Sequence, residues 1–238
     1  MRDLKAFLAS APDGWSIEII KKNIRHIYFR VYPDKKQVRV SAPRAISSDD
    51  LKAAVSAKSP WILKHICFPR KTIPLAWETP SSQKVYFKGQ AYALVDCQSP
   101  SSAQVVLDPE KGVMVYSRPN ASDDKKAGLL LQWYRDCLDQ EISILVDKWV
   151  PVMGVTLGQF RIKKMKTRWG SYNTRANRIW INLALIRLSP CFLEYVLVHE
   201  LVHLLEPSHN ARFYGLMDQY YPDWPKVKAR LRQYSPGV

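Results

Sequence analysis

Apolar and polar residues alternate with a period of two across the early part of the chain, in "WSIEII" from Trp15, "HIYFRVY" from His26 and "QVRVSAP" from Gln37. Successive side chains on a strand point to opposite faces, so each run buries one face and wets the other. The "PDKK" between the second and third runs suits a turn, and the pair reads as a β-hairpin. The period then changes. Ser47 to Lys64 opens with helix-capping residues and continues as a short amphipathic helix, which Pro60 is expected to break or restart. "KVYFKGQAYALVDC", "AQVVLD" and "GVMVYSRP" add three strand-like runs joined by turns rich in Ser, Pro and Gly.

After Asn120 the spacing becomes helical. Ser122, Asp123 and Asp124 cap a helix carrying Leu129, Leu130, Trp133, Leu138, Ile142 and Leu145, which should end near Pro151. Two strand-like runs follow, "QFRIKKMK" and "NRIWINLALI", joined by "TRWGSYNTRA", whose Gly, Ser and Asn suit a turn. Ser189 and Pro190 start a further helix, because proline at the first helical position loses no hydrogen bond. The tail "PDWPKVKARLRQY" predicts a last short helix. The fold class is therefore α+β, with a β-rich N-terminal domain over residues 1–120 and a second domain over 121–238.

Composition narrows the class. The chain has 238 residues, 47% of them apolar, yet no apolar run long enough to span a bilayer, so no membrane partner is expected. "LKAFLAS" near the N-terminus is short and leads into a turn-like "PDG", which does not read as a secretory signal. Cys67, Cys97, Cys137 and Cys191 lie far apart without a CxxC pair, which argues against a disulfide framework and a thiolate zinc site and makes a reducing cytoplasm the expected compartment.

The net charge of +15 matters less than its distribution. No acidic residue lies between Asp147 and Glu194, while Lys148, Arg161, Lys163, Lys164, Lys166, Arg168, Arg175, Arg178 and Arg187 all do. Such a segment attracts anions, or it simply solvates an exposed strand face. It leads directly into "VHELVHLLEPSHN", residues 198–210.

On a helix, residues four apart project from one face, so His199 and His203 direct ring nitrogens at a common point, where a metal ion fits. Glu200 is turned by about 100° from His199, clear of the ion yet near a water bound to it, as a general base requires. Pro207 should stop the helix at or near Glu206, and His209 then arrives from outside it. The ten-residue interval from His199 to His209 equals that of H-E-x-x-H-x-x-G-x-x-H, but Glu206 stands at the glycine position, which argues against a true metzincin. Three imidazoles leave the fourth position of a tetrahedral zinc open, the arrangement of catalytic rather than structural sites. The flanks "FLEYVLV" and "LVHLL" are apolar almost all round, so Glu200 is a buried charge costing several kcal/mol, order of magnitude, without a partner. A divalent cation is the natural partner. Zinc is the first choice, although such a site also accepts manganese, cobalt or nickel. Glu194, Glu206 and Asp218 are near enough in sequence to support the histidines from behind, and nothing in the sequence chooses among them.

The run from "MKTRWGSYN" to "HNARFYGLM" resembles the YgjP-like family of zincin-type metal-dependent hydrolases, related at the site to SprT-like proteins. The resemblance rests on an RWGS turn, an N-x-x-L strand end, a proline before the helix, HExxH, and a histidine followed by Phe213. "YFRVYPDKKQVRVSAPRAISSDDLKAAVSAKSPWILKH" also looks like the family's N-terminal half. Tyr172 and Val202 stand where many members carry cysteine, so no thiol chemistry is assigned there. The resemblance implies metal ligands at His199, His203 and His209, Glu200 as base, and a zincin-like domain whose HExxH helix lies against a small sheet. Its members are commonly labelled zinc metallopeptidases, and the family also includes metal-dependent UTP pyrophosphatase activity, which releases UMP and diphosphate.

The site alone does not choose between peptide and phosphoanhydride. A peptidase needs an exposed edge strand beside the site, which "RIWINLAL" could supply. Nucleotide hydrolysis needs cations for the phosphates, and Lys163, Lys164, Lys166 and Arg168 precede the site. Lys164, Lys166 and Arg168 share one face if the strand persists that far. Trp169 or Tyr172 could stack on a base, with packing expected for the tryptophan. The charge pattern therefore favours a nucleoside triphosphate of the UTP type as a small anionic substrate, with peptide hydrolysis as the alternative. A nucleic-acid-binding role for the basic stretch leaves Glu200 and the open coordination position without a use, so no nucleic-acid partner is expected.

Overall fold

The structure is a computed structural model that describes residues 14–32, 35–67, 84–99 and 101–236. The "LKAFLAS" segment and the Pro33-Asp34 pair lie outside the described residues. Two compact units divide the chain between Arg70 and Lys71. The sequence places its change of texture near 120, where strands give way to helix. Strands after residue 84 nonetheless share a core with that helix, and they belong to the second unit.

In the first unit, strands β1 (Ser16–Lys22), β2 (Tyr28–Tyr32) and β3 (Gln37–Pro43) form a sheet of order β1-β3-β2. The expected hairpin is β2–β3, antiparallel with Arg30 opposite Arg39, while β1 joins β3 in parallel. Val38, Val40 and Ala42 point to one face and pack with Leu51, Val55, Ile62 and Ile66 of helix α1 (Ser48–Cys67). Pro60 does not break α1. A proline removes the N–H that would bond the carbonyl four residues back, here that of Ser56. The hydroxyl of neighbouring Ser59 donates to that carbonyl instead.

In the second unit, β4 (Lys84–Phe87), β5 (Gln90–Gln98), β6 (Gln104–Asp108) and β7 (Gly112–Ser117) form a sheet of order β4-β5-β7-β6. Gly112 is obligatory there, since its φ is +107° and a Cβ would fall 2.3 Å from the Ala93 carbonyl oxygen. Helix α2 (Asp123–Met153) starts on a Ser122 cap and runs through Pro151 to a left-handed Gly154. It packs on β6 and β7, and the Tyr134 hydroxyl, buried on its inner face, donates to the Tyr86 carbonyl at 2.8 Å.

Beyond α2 lie β8 (Gln159–Lys163), β9 (Gly170–Asn173) and β10 (Arg178–Asn182), in the order β8-β10-β9. Here three expectations change. The "TRWGSYNTRA" connection contains β9 itself. "LALI" is not strand but a 3₁₀ turn, Leu183–Arg187, started by the Asn182 side chain accepting from the Ala184 N–H. And β8 stops at Lys163, so strand alternation does not align Lys164, Lys166 and Arg168.

Helix α3 (Pro190–Val202) crosses this sheet and is enclosed by α2, α4 (Ala211–Tyr220) and α5 (Trp224–Leu231). An α-helix with no polar face survives only when every side is covered, which is how α3 is placed. The described part is a mixed α+β fold of three small sheets and five α-helices. No helix among the described residues is long and apolar enough to cross a membrane.

Two glycine-to-alanine changes should separate space from propensity. Gly112→Ala is expected to lower unfolding stability by about 2–4 kcal/mol through strain and a backbone clash. Gly128→Ala, on α2 with nothing within 4 Å of the new methyl, should raise it by ~0.5–1 kcal/mol. Urea titration of both proteins reads the opposite signs.

Candidate metal centre

His199 and His203 leave α3 from consecutive turns at its C-terminal end. The helical path tapers on to Glu206, whose N–H bonds the Val202 carbonyl at 2.9 Å, and the chain turns away at Pro207 as expected. Glu206 does not require left-handed backbone, so no glycine is needed at its position. Asn210 then caps α4 by accepting the Phe213 N–H at 3.0 Å, and this brings His209 back over the end of α3.

One ring nitrogen from each of the three histidines, placed where it could ligate a metal, lies within 4.8 Å of the others, and Nε2 of His199 and Nε2 of His209 are 3.0 Å apart. Around a tetrahedral zinc with ~2.0–2.1 Å bonds, such nitrogens sit about 3.3 Å apart. Burial, together with the neighbouring His203 and His209, lowers the His199 pKa to about 3, and burial also depresses that of His203. Both rings are therefore neutral, with lone pairs available to a metal. The Nδ1–H of His203 donates to the Glu206 carbonyl at 3.3 Å, which leaves its Nε2 lone pair available to a metal. The donor set fits a divalent ion.

None of the three carboxylates considered as supports is bonded to an imidazole. Glu194 accepts from Lys148 at 2.7 Å and from the Trp149 indole at 3.0 Å, Glu206 accepts the Ser208 N–H at 3.1 Å, and Asp218 accepts from Trp224 at 2.7 Å. The support comes instead from Phe213. This fully buried ring lies 4.9, 4.8 and 4.5 Å, centroid to centroid, from His199, His203 and His209. It forms an apolar floor that limits how far the imidazoles can tilt.

Glu200 is 6% exposed, and burial raises its pKa to about 8 against the opposing pull of the Tyr172 backbone N–H and the Arg168 charge. Positive charge among the imidazoles is what would hold it ionised. Space for the carboxylate is made by Gly170, where a Cβ would meet Glu200 Oε1 at 2.6 Å and Val196 Cγ1 at 2.7 Å. In the sequence this glycine reads as a turn residue. The Asn182 side chain supports the same loop, donating through Nδ2 to the Met165 and Arg168 carbonyls at 2.8 Å and to the Pro236 carbonyl at 3.2 Å.

An open cleft of about 360 Å³ exposes these groups, with Arg168, Tyr172 and Thr174 on its wall beside the histidines and Glu200. Of the four cations expected to hold phosphate, only Arg168 lines the cleft. Lys163 ends β8 with its ammonium 5.7 Å from the Trp180 ring, and Lys164 and Lys166 lie exposed in the following loop. Arg187 is buried and adds nothing to the exposed positive surface. Trp169 and Tyr172 both pack against the core, and Tyr172 also lines the cleft, its hydroxyl 3.3 Å from Asn177 Oδ1. β10 is the central strand of its sheet, so the edge strand at the site is β9 rather than the expected "RIWINLAL".

Two variants separate holding the ion from using it. His209→Ala, a change at an exposed residue, should weaken zinc binding by more than the ~10–100-fold that loss of an outer partner costs, as measured by calorimetry. Gly170→Ala should keep one ion per chain by elemental analysis while abolishing metal-dependent hydrolysis, because the new methyl displaces the Glu200 carboxylate.

Comparison with known proteins adds the lineage. The curated proteins supply no significant match. Among solved structures, similarity extends to the metallopeptidase zymogen abylysin of Pyrococcus abyssi, at 20% identity and TM-score 0.37 over 41% of this chain and 99% of that one. It extends likewise to the zymogen of jannalysin from Methanocaldococcus jannaschii, at 18% identity and TM-score 0.32 over 42% and 94%. The sequence profile of the family described as YgjP-like, metallopeptidase domain, matches residues 25–234. That span takes in both units and every residue of the histidine site, and the chain belongs to the YgjP-like metallopeptidase-domain family of metal-dependent hydrolases.

Proposed function

We propose that the cleft hydrolyses a nucleoside triphosphate of the UTP type, releasing UMP and diphosphate. The observation that carries this reading is the charge of the cleft wall, which Arg168 shares with the histidines and where Glu200 is the sole carboxylate among the lining residues. A polyanion entering such a cleft loses little to repulsion and gains a guanidinium suited to phosphate oxygens. Lys163, Lys164 and Lys166 stand outside the lining and contribute the field that draws the anion in.

His199, His203 and His209 would hold the divalent ion, which when bound supplies Lewis-acid activation of water and of a phosphoryl oxygen. Glu200 accepts the proton of the attacking water at a carboxylate oxygen. The water oxygen bonds to the α-phosphorus as the bond from that phosphorus to the α–β bridging oxygen breaks, and diphosphate leaves. Arg168 holds the charge that builds on the phosphates, and the Tyr172 ring offers a surface for the base.

Peptide hydrolysis is the second reading, favoured by the edge strand β9 on the cleft wall. A peptide added to that edge would compete with Glu200 for the Tyr172 N–H, which already serves the carboxylate.

Metal-loaded protein should release diphosphate from nucleoside triphosphates and leave an unstructured protein substrate intact. Glu200→Gln should lower kcat by ~10²–10⁴-fold with metal content unchanged, and diphosphate release that survives the change would remove Glu200 as base. Arg168→Ala should raise KM for the nucleotide by roughly 10-fold or more. Cleavage of the protein substrate without nucleotide turnover transfers the assignment to the peptidase reading.

A further inference from the structure

The first unit carries an open sheet face that the hydrolytic cleft does not use. α1 covers the face of Val38, Val40 and Ala42, and strand alternation places Tyr28, Arg30 and Tyr32 of β2, Arg39 of β3 and Lys22 of β1 on the other. Tyr28 is 57% exposed, and Arg30 and Lys22 are exposed as well. The Arg39 guanidinium lies 5.1 Å from the centre of the Tyr32 ring, and Arg30 donates to the Tyr32 hydroxyl at 3.4 Å, so cations and ring form one cluster. Residues 14–32 and 35–67 hold eleven Lys or Arg against three Asp or Glu. Two of those acids, Asp49 and Asp50, sit in the first turn of α1, and the third, Glu18, is paired with Arg39 at 2.5 Å.

We propose that this face binds single-stranded nucleic acid, with bases stacked on Tyr28 and Tyr32 and phosphates held by Arg30 and Lys22. The two rings stand four residues apart on one strand, about 13 Å, and the cations lie between and beside them. Rings interleaved with cations suit a chain that alternates bases with phosphates, because stacking and charge neutralisation then act together. A duplex hides its base faces and leaves the rings without a role. A membrane surface calls for a broad apolar face, whereas the open face here carries Ile20 as its aliphatic residue. An acidic peptide would engage the cations alone. The basic stretch before the histidines belongs to the second unit and is no part of this face.

The test is fluorescence anisotropy of the full chain with labelled 12-nucleotide oligo-dT and oligo-U, a duplex of equal length, polyglutamate as competitor, and vesicles of phosphatidylcholine with phosphatidylserine. The single strands should bind at least 10-fold more tightly than the duplex, and the ratio of oligo-U to oligo-dT reads whether RNA or DNA is preferred. Tyr28→Ala should weaken binding roughly 10-fold, while Tyr28→Phe, which keeps the ring, stays within about twofold. Arg30→Ala should make the dependence of log Kd on log salt shallower by about 0.7. Arg168→Ala, a change in the cleft, should leave oligonucleotide affinity within about twofold. Equal affinity for duplex, displacement by polyglutamate at matched charge, vesicle binding without oligonucleotide binding, or loss in Arg168→Ala with none in Tyr28→Ala would each overturn the proposal.

Discussion

A carboxyl group has to be kept inside an apolar helix, and most of the second unit is arranged around that requirement. α3 has no polar face, so its burial is enforced on every side, and Glu200 is carried into the interior with it. Burial alone favours the uncharged acid. The groups around Glu200 act the other way, namely the Tyr172 N–H and the Arg168 charge. Gly170 supplies the room in which that balance is struck. Removing solvent from the site strengthens each of these electrostatic terms, so the apolar packing of α3 and the chemistry of its end are one design.

The histidines are held by different means. His199 and His203 inherit their spacing from the helix, while His209 depends on the route taken by Pro207 and on the Asn210 cap that restarts the chain as α4. Phe213 belongs to α4 and touches all three rings. The element that delivers the third histidine thus also supplies the floor, and the two cannot be moved independently. The first unit is built on a small core of its own.

Much of this was legible in the residues because the signals were local. The hairpin, the Ser122 cap and the His199, Glu200, His203 spacing each depend on neighbours within a few positions. What escaped was decided by contacts distant in sequence or by one atom. Pro60 reads as a breaker until the Ser59 hydroxyl is seen to serve the Ser56 carbonyl. "LALI" reads as strand because its residues are all apolar, yet Asn182 diverts the backbone into a 3₁₀ turn whose residues are buried on all sides. Gly170 looks like a turn residue and is in fact the space for a side chain thirty positions later. The expectation of an aligned cationic row failed because β8 ends at Lys163, and only Arg168 reaches the cleft.

Asn182 has a consequence of its own. Its amide nitrogen has two hydrogens and three carbonyl acceptors within 3.2 Å, while its oxygen receives the Ala184 N–H. One hydrogen is therefore shared, and the group works only because it is both donor and acceptor. Aspartate has the same shape but would turn a ring of attraction into lone pairs facing lone pairs, so spontaneous loss of ammonia from this one amide would be more damaging than many larger replacements elsewhere. The loop that carries Arg168 is thus tied down by one side chain that its isosteric acid cannot replace.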